Sequence, residues 1–286
     1  MPDLEEQEKK GFTLIELLIA MALALIIIGS LSTSFISQRK IYNAQEQITE
    51  MTQNARAAMD IMSRDIMMTG YGIVKSNYDN LSSWVDWGSV TFGTEPLVIE
   101  TDAGAEGNSD IIHVAGCFDG TAATLSSDAS AGDTTIDVTP VDSTDTVSGL
   151  FDDDDEKLIC INGLENAIVT GVSGDTLTID MDPPNGTGLA VEHKAGATVC
   201  VVKVISYSIV KEDGSYILKR DENLGAGRQP LVENIVDLQI IQSGNTIEIN
   251  PLTAQTDKAD PNYSEHDHHR RFSQRAYITP PNLLLD

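Results

Sequence analysis

From Phe12 to Gly29 the chain is almost unbroken apolar, interrupted by one carboxylate, Glu16. At 1.5 Å per residue those roughly 18 residues make about 27 Å of helix, near the minimum for a bilayer span. A second pattern follows without a break. Ile41, Ile48, Ala55 and Met62 recur seven apart, Ala44, Met51 and Ala58 form a parallel row, and Met59 and Ile66 widen the stripe. Between them lie Gln45, Glu46, Gln47, Glu50, Gln53, Arg56, Asp60, Arg64 and Asp65. That alternation is one amphipathic face at helical spacing. No proline stands between Phe12 and Thr69, and Gly70-Tyr71-Gly72 supplies a stop. One helix of nearly sixty residues is predicted, apolar all round in its first half and on one face in its second.

Beyond Ile73 the period changes. Short alternating runs separated by Gly, Asp, Asn, Ser and Pro predict strands at Leu97–Glu100, Asp110–Val114, Thr135–Val138, Lys157–Ile161, Ala167–Val172, Thr176–Asp180, Thr198–Ser208, Ser215–Arg220, Leu231–Ile241 and Thr246–Ile249. Ser173-Gly174-Asp175 and Glu212-Asp213-Gly214-Ser215 read as hairpin turns. The expected fold is therefore α+β: one long N-terminal helix packed on an antiparallel β-rich domain over 73–286. The text from about 129 to 202 reads as an insertion, and its order resembles a small β-barrel module found in surface and phage-tail proteins.

Composition sharpens this picture in one respect. Charged residues are 22% and hydrophobic residues 41%, ordinary for a folded chain, but 18 Lys and Arg stand against 44 Asp and Glu, a net charge of −26. Such a field repels phosphate backbones and disfavours nucleic acid as a partner. The three cysteines, Cys117, Cys160 and Cys200, form no CxxC pair, which leaves zinc-ribbon and thioredoxin readings without support. Export would permit one disulfide with one thiol left over, and three buried thiols are the other reading. Cys160 and Cys200 would both lie on strands of the insertion, and they are the expected pair.

The leader narrows the class. Lys9-Lys10, then Gly11-Phe12-Thr13-Leu14-Ile15-Glu16-Leu17-Leu18-Ile19, resembles the signal of type IV prepilins and pseudopilins. The resemblance implies a leader over 1–11, cut by a prepilin peptidase between Gly11 and Phe12, and methylation of the new Phe12 amine. It implies that Glu16, fifth in the mature chain, registers an incoming subunit by pairing with a Phe12 ammonium. Desolvated charge needs such a partner. Ala55 to Ile66 with Thr69-Gly70-Tyr71-Gly72 is similar to the helix end of PilW-type minor pilins, and Tyr207 to Ile209, Tyr216 to Arg220 and Gln229 to Ile240 resemble the sheet hairpin and following strand of PilW- and J-type pilins. The region Arg270 to Ala276 matches that pattern poorly, because the family closes on a strand ending Arg-Asn and this chain ends PPNLLLD.

On that resemblance the expected partners are major and minor pilins, the prepilin peptidase and the inner-membrane assembly machinery. The precursor would be a single-pass inner-membrane protein with its head in the periplasm, and the mature form would sit in the pilus. A J-type minor pseudopilin of a type II secretion system and a tip adhesin are the alternatives.

Candidate chemistry is sparse. Asp152-Asp153-Asp154-Asp155-Glu156 could bind calcium but lacks EF-hand spacing, and otherwise reads as a solvated turn. His266, His268 and His269 could ligate a metal, but no second ligand set stands at a structural spacing. Trp84, Trp87 and Tyr78 read as packing residues, and His113 and His193 as strand-end residues. No GxSxG, Walker loop, HExxH or Cys–His pairing points to catalysis, so no enzyme is expected.

Overall fold

The computed structural model describes residues 12–87, 90–104, 109–151, 157–222, 228–260 and 263–284. Residues 1–11, the expected leader, and the acid run 152–156 lie outside them. Helix α1 runs from Leu14 to Met67, 54 residues without interruption. It ends where Gly70 and Gly72 adopt φ of 75° and 76°, a left-handed backbone that side chains resist. Contacts divide the chain into two compact units, 1–49 and 50–286.

In the second unit, Met51, Ala55, Ala58, Met59, Met62, Asp65 and Ile66 of α1 are buried. Their spacing of three and four residues keeps one face of the helix on the β domain. A 3-10 turn (Lys75–Asn80) and a one-turn helix α2 (Leu81–Trp84) follow. Their side chains Tyr78, Leu81 and Trp84 join Trp87, Val90 and Phe92 in a buried cluster.

Fourteen strands are described: β1 (Leu97–Glu100), β2 (Ile111–Gly116), β3 (Ala123–Leu125), β4 (Thr135–Pro140), β5 (Lys157–Ile161), β6 (Glu165–Ser173), β7 (Thr176–Asp180), β8 (Thr198–Val201), β9 (Lys203–Glu212), β10 (Ser215–Glu222), β11 (Gln229–Glu233), β12 (Ile235–Ser243), β13 (Thr246–Gln255) and β14 (Arg271–Ile278). They form a five-stranded sheet ordered β1-β2-β9-β10-β11, a three-stranded sheet ordered β12-β13-β14, and a closed barrel ordered β3-β4-β7-β6-β5-β8. The short helices α3 (Val147–Phe151) and α4 (Pro281–Leu284) complete the elements.

The barrel is entered from β2 and left into β9, which are antiparallel neighbours in the five-stranded sheet. It therefore takes the place of a hairpin loop. Its strands begin at Ala123 rather than at 129. Its interior is filled by Leu125, Ile136, Val138, Phe151, Ile159, Ile161, Leu177 and Ile179, among others. Leu158, Cys160 and Ile168, on the alternate side of β5 and β6, belong to the other cluster, with Trp87 and Val204. One wall of the barrel is thus shared with the core of the head.

Two expected strands divide. Thr198–Ser208 breaks at Val202, whose N–H donates to Leu158 O in the barrel before the chain passes to the five-stranded sheet. Leu231–Ile241 breaks at Asn234, which adopts φ 63° and sends β11 and β12 to different sheets. Asparagine is among the few side chains that accept this backbone.

The structure overturns the expected cysteine pairing. Cys117 is bonded to Cys200, with Cα atoms 6.0 Å apart, and Cys160 is a buried free thiol. Cys160 and Cys200 are direct cross-strand partners in β5 and β8. The bonds Val202 N–H to Leu158 O and Asn162 N–H to Thr198 O make theirs a hydrogen-bonded pair, in which side chains stand farther apart than at the alternate positions. Cys117, just past β2, comes to the same place from the neighbouring sheet.

Candidate functional site

At the start of α1 the side chains close on themselves. Thr13 N–H donates to Glu16 Oε2 at 3.0 Å, Thr13 Oγ1 donates to the same oxygen at 2.8 Å, and Glu16 N–H donates to Thr13 Oγ1 at 3.3 Å. This is a capping box, in which residue and helix satisfy each other's free groups. Its negative charge also sits at the positive end of the helix. Phe12 is 89% exposed, and the apolar residues through Ile36 are exposed around the whole helix. By length and composition α1 can cross a membrane. Thr-x-x-Glu ahead of an apolar run is the sequence signature of this box.

The other end of α1 is fixed by charge. Asp65, 5% exposed, accepts from Tyr207 Oη at 2.5 Å and from Arg220 Nε at 2.9 Å. Arg220 continues to Glu222, which also pairs with Lys203, and Lys203 reaches Asp119. Burial, with the Asp65 carboxylate beside it, pushes the Tyr207 phenol above its ordinary value. Tyr207 and Arg220 are cross-strand partners on β9 and β10, so the sheet register delivers both to one carboxylate of the helix.

Just past the helix, Gly72 lies against the disulfide. A Cβ there would stand 3.0 Å from Cys200 Sγ and closer still to Cys117 Sγ, so only glycine fits. Asn166, wholly buried on β6, closes the junction from the barrel side. It donates to Gly72 O at 2.8 Å and accepts from Val74 N–H at 2.7 Å. Every arm of this amide is used, as a buried amide requires.

The remaining expected site residues do not converge. His268 Nδ1 bonds to Tyr263 O, and His269 Nδ1 lies 2.6 Å from Thr256 O. Among the described residues no group of three His, Cys, Asp or Glu is placed to hold a metal. Asp152, Asp153 and Asp154 lie outside the described residues, as does Gly11. Trp87 donates its indole N–H to Leu81 O at 2.9 Å and is 6% exposed. His113 and His193 are buried rather than at strand ends.

An apolar helix fit to span a membrane and continued, on one face, into the core of an antiparallel β domain is consistent with a type IV pilin-like α+β fold. A family model described as the prokaryotic N-terminal methylation motif matches residues 7–32. That stretch holds Gly11, Phe12, Thr13 and Glu16, and the match supports a prepilin-type protein of the type IV pilin superfamily. Comparison with curated proteins and with solved structures gives no match.

Proposed function

We propose that the chain is a minor pilin of PilW type, cut between Gly11 and Phe12 and assembled through α1 into a type IV pilus or its initiating tip complex. This is a structural subunit rather than an enzyme. The observation that carries the reading is the methylation motif over 7–32 at the head of an uninterrupted helix whose far end is buried in a β domain. A barrel inserted in the head adds bulk that suits a tip or sub-stoichiometric place better than dense packing along a fibre.

The capping box bears on how Glu16 would work. In the uncut chain its carboxylate is satisfied by Thr13 within one turn, which lowers the cost of carrying a charge into a bilayer. Cutting at Gly11 places an ammonium on the adjacent residue, Phe12. Glu16 then has a cation to recognise, on its own subunit or on a neighbour.

The test is a deletion in the host, scored for surface pili and for type II secretion. Loss of pili with secretion intact is expected; the converse would favour the pseudopilin. Glu16→Ala is expected to be cleaved at nearly the normal level yet left out of filaments. Normal incorporation would remove the registration role from Glu16.

A further inference from the structure

Strand β14 is the edge of the three-stranded sheet, and among the described residues no strand pairs with its outer side. Thr256 N–H bonds to Arg270 O, so the alternate residues from 270 onward turn their backbone groups to β13. Arg271, Ser273, Arg275 and Tyr277 therefore turn theirs to the free side. The side chains of these same four residues are exposed, Tyr277 to 69%.

Arg271 and Arg275 stand out against the charge of the chain. With 44 acids to 18 bases, several bases on or beside the sheets have a carboxylate: Lys203, Lys219, Arg220, Arg228 and Arg270 are all paired. Among the described residues neither Arg271 nor Arg275 has one. An unpaired strand edge is a template for another strand, and charges on it decide which strand may bind. Antiparallel self-pairing with a second copy, centred on Ser273 or on Arg275, would set arginine against arginine. An acidic strand would meet both.

We propose that the outer edge of β14 takes up, by strand addition, an extended segment of another protein carrying two carboxylates four residues apart. Four residues of strand span about 13 Å, the separation of Arg271 and Arg275 along the edge. Backbone bonds from residues 271, 273, 275 and 277 supply the affinity, and the two arginines choose the sequence and fix its register. Tyr277 adds an aromatic anchor of the kind enriched at protein interfaces.

The probe is the peptide Val-Glu-Val-Thr-Val-Glu-Val, labelled at its N-terminus and titrated by anisotropy with the full chain in detergent. The control carries Lys in place of both Glu. The acidic peptide is expected to bind at least about tenfold more tightly than the control, and Arg271→Glu/Arg275→Glu to reverse the order. Ser273→Pro removes an outward N–H without breaking the β13 ladder, and is expected to abolish binding of the acidic peptide. Three results would each overturn the proposal. The peptides could bind equally or not at all. Ser273→Pro could leave acidic binding intact, which makes the patch a charged surface without strand addition. The chain could instead self-associate in sedimentation in a manner that Ser273→Pro removes, which makes a second copy the occupant.

Discussion

Asp65 is the residue on which the helix and the five-stranded sheet agree. It is nearly buried, and its two partners sit side by side on neighbouring strands. Removing the carboxylate leaves Tyr207 without its acceptor and Arg220 with Glu222 alone, and Asp65→Ala is expected to cost about 2–3 kcal/mol in a urea titration. Tyr207→Phe removes one bond of the set and is expected to cost about 1 kcal/mol.

The cysteines give an asymmetry of the same kind. Cys117→Ser opens a loop of 83 residues, worth up to about 4.5 kcal/mol by chain entropy, whereas Cys160→Ser changes one buried thiol. Burial pushes the Cys160 thiol up to about 11. It holds little thiolate at neutral pH, and the native chain is expected to resist alkylation there until it is unfolded.

His113 carries a pH dependence. Burial holds its pKa below the ordinary histidine value, with Arg228 reinforcing the effect and Glu100 and Asp221 opposing it. Ser206 Oγ sits 2.6 Å from its Nδ1. Below about pH 6.5 the unfolded chain takes a proton that the folded one refuses. The contribution of His113 is therefore complete above that value and is lost as pH falls through the lowered native pKa. Melting temperatures between pH 7.5 and roughly 5 should drop, and His113→Gln should flatten the slope.

At the scale of elements, the barrel and the helix end meet through one amide. Asn166→Leu would leave Val74 N–H and Gly72 O without their partner. It is expected to lower stability by about 2–3 kcal/mol, and to expose the 72–78 backbone to faster hydrogen exchange than the barrel interior.

This junction was not legible in the sequence, because its partners are about ninety residues apart and none belongs to a local pattern. The periodic elements were legible. The seven-residue rows of α1 and the alternation in β4 and β7 follow from side chains that must face one way. What escaped was short or half polar. Strand β3 has three residues. In β14, Phe272, Ala276 and Ile278 do share one face, but the intervening arginines obscure the pattern. The capping box at Thr13 and Glu16 was readable from residue types alone. The cysteine pairing was not, since proximity along one barrel says nothing of a third cysteine arriving from another sheet.

In the whole molecule, the disulfide closes the neck through which the chain enters and leaves the barrel. Cys117 lies one residue past β2, and Cys200 lies three residues before β9. The bond therefore offers a covalent path from β2 to β9 that touches the barrel only at Cys200 and Val201, the last two residues of β8. Tension applied to the two ends of the head passes through two sulfur atoms, and the strands between them carry no load along the chain. In the oxidised protein a pull can unravel the sheet but cannot draw out the barrel. In the reduced protein the same pull would release up to roughly 280 Å of additional chain from those 83 residues. Single-molecule stretching with and without reductant should differ by that increment. The sulfur bridge makes the inserted module cargo that the subunit can bear on a strained line that crosses only the last two residues of β8.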